Sequence, residues 1–150
     1  MPRSMRGMTI IDPANPKHAR ALERLGTDIP IWLTTVSPKG QPQTSPVWFW
    51  WDGDVFHVFS KPDARKLRNI GGNPRVSLHL NASDTADDDV VIFEGLAELD
   101  PDTPSPERYP LYVEKYRGLI ADYGWTPESM LADYSVGLRI TPTRIRVDED

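Results

Sequence analysis

Ser60-Lys61-Pro62-Asp63-Ala64-Arg65-Lys66-Leu67-Arg68-Asn69-Ile70 is the stretch whose residue types and spacing point most directly to chemistry. Lys61, Arg65, Lys66, Arg68 and the nearby Arg75 face a single acid, Asp63, in a chain whose net charge is −5. Local charge opposing global charge suits one anionic ligand. Guanidinium and ammonium heads supply charge-assisted donors. A short helix starting near Ala64 would add free backbone N–H groups and the positive end of its dipole. The residues alone leave a second reading open, a basic turn that is simply solvated.

Thr44-Ser45-Pro46-Val47-Trp48 is the second constellation. Pro46 inside a strand removes a ladder donor, which leaves a neighbouring carbonyl free for the edge of a ligand ring; an ordinary edge strand reads the same way. Trp48, Phe49, Trp50 and Trp51 could stack a planar ring or fill a core or an interface. Trp125, between Gly124 and a capped helix start, is a candidate pocket lid. His18, His57 and His79 have no metal-ligand spacing. The run Asp84, Asp87, Asp88, Asp89 lacks the alternation and glycine of a calcium loop and reads as a solvated connection. No metal site is expected, and no side chain stands out as a general acid.

These groups must be positioned by short strands. Pro30 to Val36 reads as β, followed by a turn over Ser37-Pro38-Lys39-Gly40. Gln43 to Trp51 and Val55 to Ser60 read as two strands joined at Asp52-Gly53. Both are apolar on nearly every residue, so both faces need cover, as in a barrel or at a subunit interface. Arg75 to Asn81, Val90 to Leu99, Val136 to Ile140 and Arg144 to Val147 complete the strands. Residues 1–14 read as a loose arm and 15–150 as one domain. Within it, Asn15-Pro16 opens a helix that Gly26 stops, with Ala19, Leu22 and Leu25 on one face. Ala64 to Ile70 is a short helix that Gly71-Gly72-Asn73-Pro74 ends. Glu107 to Tyr123 is a longer helix with Leu111, Tyr112, Lys115, Tyr116 and Leu119 as its stripe. Thr126-Pro127 begins the last helix. Six or seven hairpin-connected strands with peripheral helices make a mainly β, antiparallel barrel.

Composition narrows the function. A chain of 150 residues, 39% hydrophobic with five Trp, can bury one core. Its negative net charge opposes general nucleic-acid binding, which leaves single-strand binding through aromatics and cations a weak alternative. The absence of cysteine removes disulfide and thiolate chemistry. The N-terminus has no apolar stretch of a secretory signal, and no run approaches the roughly 20 residues of a membrane span. The expectation is a soluble cytoplasmic protein without nucleic-acid or membrane partners.

In order and spacing, these segments resemble the flavin and deazaflavin oxidoreductase split barrels, the pyridoxamine-phosphate-oxidase-like superfamily, and within it the branch that uses the deazaflavin coenzyme F-420. The matching pieces run from Ile31 to Leu99. They are Trp32-Leu33-Thr34-Thr35-Val36, Gly40-Gln41-Pro42-Gln43-Thr44-Ser45-Pro46-Val47-Trp48, Phe59-Ser60-Lys61-Pro62, Arg65-Lys66-Leu67-Arg68-Asn69-Ile70, Asn73-Pro74-Arg75-Val76 and Phe93-Glu94-Gly95. The resemblance implies a split barrel and hydride transfer from reduced F-420 to a small organic acceptor. It implies that Ser60, Lys61, Arg65 and Lys66 hold the cofactor phosphate. Thr44, Ser45, Pro46, Val47 and Trp48 would lie along the ring, largely through backbone. It also implies a homodimer with cofactor sites at the subunit interface, and a small-molecule substrate. FMN as cofactor, or a flavin or deazaflavin carrier without turnover, are the alternatives. The segment from Ile140 to Asp150 departs from the Arg-x-x-Pro-like substrate segment of true pyridoxamine-phosphate oxidases, so that oxidation is not expected.

Overall fold

The computed structural model describes residues 10–83 and 89–147. Its elements in chain order are α1 (Pro16–Thr27), β1 (Ile31–Val36), β2 (Pro42–Val47), β3 (Trp50–Trp51), β4 (Phe56–Ser60), α2 (Arg65–Gly72), β5 (Arg75–His79), β6 (Val91–Leu99), α3 (Pro110–Asp122), α4 (Pro127–Asp133) and β7 (Val136–Val147). The strands form one sheet, all pairs antiparallel, in the order β2-β1-β5-β6-β7-β4-β3. It curls into a split barrel, the mainly β fold expected. Alternate residues of the inner strands fill its interior, including Ile31 and Leu33 of β1, Leu78 of β5, Phe93 of β6 and Ile140 of β7.

The single strand expected over Gln43 to Trp51 is two strands. β2 ends at Val47, pairing with β1, and β3 begins at Trp50, pairing with β4 at the opposite edge of the sheet. Trp48 and Phe49 carry the chain across the split. Phe49 is fully buried yet lies in no strand, so its backbone polar groups need other partners. Tyr116 of α3 supplies them: its O–H donates to the Phe49 carbonyl at 2.7 Å, and the Phe49 N–H donates back to the same oxygen at 2.8 Å. The Lys115 ammonium adds a second donor to that carbonyl at 3.1 Å, reaches the Leu25 carbonyl of α1 at 3.4 Å, and sits 3.7 Å from the Phe49 ring centroid. Burial pulls the Lys115 pKa down to about 8 and pushes that of Tyr116 upward, so its phenol keeps its proton.

All five residues of β4 are buried, and both covers come from this one chain. Phe56 and Val58 point into the barrel, while Phe59 packs edge-on against Tyr109 and Tyr112 of the α3 region. The two-sided apolar pattern is therefore met by α3 outside the sheet and does not itself require a second subunit.

Other boundaries shift for local reasons. α1 runs through Gly26 to Thr27, because the Asp28 N–H bonds back to the Arg24 carbonyl and the Arg24 guanidinium pairs with the Asp28 carboxylate. Ala21 and Leu25, with Arg24, form its buried face in place of the stripe led by Ala19. α3 begins at Pro110, three residues later than expected, since Pro fits the first turn of a helix. The two closing strands are one, β7, which tolerates Pro142 through a register shift opposite Glu94 and Gly95. At Gly95 a Cβ would stand 2.9 Å from the Thr141 carbonyl oxygen, so only glycine fits there. In the segment expected as an arm, residues 1–9 lie outside those described, whereas Ile11 is buried at 4% exposure against the core. Of the acidic run Asp84 to Asp89, only Asp89 is described. Among the described residues, no helix is long and apolar enough to cross a membrane.

Tyr116→Phe keeps the ring packing but strands the buried Phe49 N–H. Leaving one such group unpaired costs about 1–3 kcal/mol, so urea denaturation is expected to show a loss of that size with an unchanged m-value. A variant as stable as the parent would show that the Phe49 crossing does not depend on Tyr116.

Candidate functional site

Where β2 ends and β4 turns into α2, two cavities lie side by side. The first, of about 430 Å³, runs between Pro46, Val47 and Trp48 on one side and the α3–α4 region on the other, with Ser60, Lys61 and Lys66 at its β4–α2 end. The second, of about 470 Å³, is polar and cationic, lined by Thr44, Ser45, Arg65, Lys66 and Arg68 among others. Lys66 lines both. Both volumes lie in the range of small-molecule pockets.

The aromatic wall of the first cavity descends from the Phe49 crossing. With Phe49 fixed by Tyr116, the preceding Trp48 is laid flat on the Tyr116 ring, centroids 4.6 Å apart and planes within 2°. Tyr123 and Trp125 flank it at 6.2 and 6.4 Å. Gly124, at φ +76°, provides the left-handed turn that brings those two rings together, stacked at 4.9 Å. The Thr126–Ser129 capping box starts α4 directly afterwards and fixes the turn. α4 then delivers Met130 and Tyr134 to the far wall.

The cationic end comes from the start of α2. Ala64 at its N-cap offers no side-chain cap and donates its own N–H to the Lys61 carbonyl at 3.2 Å, and no acid occupies the first turn, so the positive end of the helix, with the N–H groups of Arg65 and Lys66, faces this corner. The Lys61 ammonium lies 5.6 Å from the Tyr134 ring centroid. Burial lowers the pKa of Lys66, since its half-buried ammonium has lost hydration. An anion beside it would restore that lost stabilisation. The Ser60 hydroxyl, 2% exposed, is turned toward the Lys61 carbonyl at 3.0 Å. At the floor of the second cavity, buried Asn69 donates to Thr35 Oγ1 at 2.9 Å and to Gln43 Oε1 at 2.8 Å, which ties α2 to β1 and β2.

Of the nine residues expected at the site, Pro46, Val47, Trp48, Ser60 and Lys61 line the first cavity, Thr44, Ser45 and Arg65 the second, and Lys66 both. Thr44 shares its hydroxyl with Thr34 at 2.6 Å. β2 is an edge strand, which accommodates Pro42 and Pro46. Trp125 lines the first cavity, in the position foreseen for a lid. Tyr112, Tyr123 and Tyr134 were not anticipated there. Their signal was the use of tyrosine where leucine would fill a core: a phenol needs somewhere to put its hydroxyl. The histidines are engaged elsewhere. His57 bonds the Asp52 carboxylate at 2.7 Å and stacks on Trp50, and His79 stacks on Trp32. Among the described residues, no group of three or more potential ligands could hold a metal.

The geometry fits a planar ring joined to an anionic arm: an aromatic slot with Pro46, Val47 and Trp48 along one side and a cationic polar cavity share Lys66 in their walls. A search of curated proteins found no match. Among solved structures, the chain is similar to an F-420 reductase, at 27% identity and TM-score 0.64, covering 85% of this chain and 95% of that one. It is equally similar to the conserved hypothetical protein Rv2991 from Mycobacterium tuberculosis, at 27% identity and TM-score 0.65, covering 85% and 81%. The heme storage protein HutZ from Vibrio cholerae shares the fold at 18% identity and TM-score 0.61, covering 86% and 92%. The family described as pyridoxamine 5'-phosphate oxidase matches residues 17–147. With that match spanning nearly the whole split barrel and both cavities, the chain belongs to the pyridoxamine 5'-phosphate oxidase family.

Proposed function

We propose that this protein is an F-420-dependent oxidoreductase that passes a hydride from the reduced deazaflavin to a small, planar, conjugated acceptor. The observation that carries this reading is the pair of cavities joined at Lys66. The aromatic slot suits the tricyclic ring, with Pro46, Val47 and Trp48 along it. The cationic cavity with Arg65, Lys66 and Arg68 suits an anionic arm. When bound, the coenzyme supplies the hydride; the protein supplies orientation, exclusion of water and electrostatics. Ser60 at the β4–α2 end of the slot, Ser45 in the adjoining cationic cavity and the positive end of α2 suit the passage of the arm away from the ring. F-420 carries a phosphodiester followed by a lactyl and oligoglutamate tail, so its charge is spread, as the cations of α2 are. FMN carries one compact phosphate. The F-420 reductase among the similar structures supports the same choice.

We also propose that the chain works as a homodimer with the site near the subunit interface. Leu96 and Leu99 of β6 stand 47% and 50% exposed, large apolar side chains left open to solvent by this chain, which suits contact with a second copy. Light scattering at micromolar concentration is expected to return twice the 17.0 kDa chain mass; a monomer would contradict the shared site.

Lys66→Ala is expected to weaken F-420 binding by about ten- to a hundredfold, the value of a charge-assisted contact of roughly 1.5–3 kcal/mol. Arg117→Ala, which removes an exposed ion pair with Glu114, should change it little. Equal small effects would favour a solvated basic turn. In paired fluorescence titrations at low salt, F-420 is expected to bind more tightly than FMN, with affinity falling as salt screens the arm. Tighter FMN binding would replace the deazaflavin with a flavin.

A further inference from the structure

A chain of touching aromatic rings leads from the slot to a buried ion cluster behind β4. Trp48 lies on Tyr116 at 4.6 Å, Tyr116 meets Tyr112 at 4.8 Å, Tyr112 meets Phe59 at 4.7 Å and Phe59 meets Tyr109 at 4.9 Å, centroid to centroid. Trp50 stands edge-on to Tyr109 at 6.3 Å. Rings in such contact exchange single electrons readily, because tunnelling falls off steeply with distance. Where an electron vacancy comes to rest is then set by protons. An oxidised phenol is a strong acid and persists as a neutral radical only where its proton has a base to go to. The Tyr116 O–H points at the Phe49 carbonyl, which is no base. Among the described residues, the Tyr112 hydroxyl has no hydrogen-bond acceptor. Tyr109 differs: its O–H donates to the Asp100 carboxylate at 2.8 Å, with Tyr109 5% and the Asp100 side chain 4% exposed. Burial works against charge on Asp100, but the Asp102 N–H, the Tyr109 O–H and the Arg108 guanidinium outweigh it and hold its carboxyl below the ordinary range. Burial, with Asp100 beside it, pushes Tyr109 up to about 12, so at rest the proton stays on the phenol. Neither residue lines either cavity.

We propose that Tyr109 and Asp100 form a redox-active pair, which takes up one-electron oxidation arising at Trp48 or Trp50 and so spares the tryptophans. The oxidant is a one-electron acceptor in the slot, of the class of a light-excited flavin or deazaflavin ring. That source rests on the coenzyme reading above; the chemistry of the pair does not. One electron leaves Trp48 for the acceptor, and one passes from Tyr109 across the intervening rings to refill Trp48. As it goes, the Tyr109 O–H bond breaks and the proton forms an O–H bond on Asp100. The acceptor ends reduced by one electron, Tyr109 oxidised by one as a neutral phenoxyl radical, and Asp100 protonated once. Return of the electron to Tyr109 draws the proton back from Asp100. The short, buried hydrogen bond lets the proton move without waiting for solvent. Tyr112 and Tyr116, which have no base, carry the electron without keeping the vacancy.

Pulse radiolysis of the coenzyme-free protein in azide solution tests the pair, since azidyl radicals oxidise tryptophan by one electron. In the parent, tryptophanyl absorption is expected to give way to tyrosyl absorption in a first-order step that is independent of protein concentration and slower in D2O. Asp100→Asn keeps an acceptor for the phenol but removes the base, and should slow the step by roughly a hundredfold, the low end of what a positioned base contributes. Tyr109→Phe should abolish it. A tyrosyl phase unchanged in either variant, or a parent rate equal in H2O and D2O, overturns the proposal; the isotope comparison decides this even where a variant does not fold. A laser flash on the parent with oxidised F-420 bound should yield the same tyrosyl radical. Its absence there, with the radiolysis result intact, would sink the coenzyme reading alone.

Discussion

Phe49 is where the chain must leave one edge of the sheet and reach the other, and its buried N–H and C=O have no strand to pair with. One tyrosine hydroxyl, acting as donor and acceptor at once, satisfies both. A phenol can do this because its oxygen carries one proton and free lone pairs. The alternative, two unpaired backbone groups in an apolar interior, would cost several kcal/mol. The sheet can therefore split between β2 and β3 only while α3 is docked, and α3 docks by placing Tyr112 against Phe59 of β4 and Tyr116 on the Trp48–Phe49 crossing. Lys115 reinforces the junction by adding α1 to it.

Both cavities are consequences of that junction. The crossing turns Trp48 out of β2 and flat onto Tyr116, which makes the wall of the slot. The same α3 leads through Gly124 into the Tyr123–Trp125 pair, which makes the opposite wall. The end of β4 then has room to turn into α2, whose uncapped N-terminus and cations make the polar chamber. The chain carries net negative charge, so the positive potential of this corner is local. Field of that kind draws an anion to one place without making the whole surface adhesive to polyanions. Lys66 stands between the two environments, half-desolvated and lowered in pKa. Among the slot's described side chains, it is the one that also lines the chamber.

Much of this was legible from residues that act locally. Asn15-Pro16 and Thr126-Pro127 mark helix starts through side-chain caps and proline φ, and both stand where expected. Alternation places β1, β5 and β6 within a residue or two. The basic segment after β4 follows from composition and falls on the two cavities. What escaped depends on contacts distant in sequence. Nothing between Gln43 and Trp51 announces a break, because the cause is Tyr116, 67 residues away from Phe49. The doubly buried β4 left a barrel and a subunit contact both open, because its outer cover in this chain, α3, follows about fifty residues later. The closing strands merged because the sheet absorbs Pro142 with a register shift against β6, which only the pairing reveals. Of the slot's tyrosines, Tyr112 was read as part of a helix stripe, correctly for its ring; where the phenols of the slot lie depends on the folded neighbourhood.

In the proposed function one ligand spans both cavities, its ring in the aromatic slot and its anionic arm in the cationic chamber, passing Lys66. The most direct measurement is a crystal structure of the protein grown with F-420. The account predicts density for the tricyclic ring along Val47 and Trp48, and for the phosphodiester within hydrogen-bonding distance of Lys66. A ring bound outside the slot, or a phosphodiester in solvent away from α2, would contradict it.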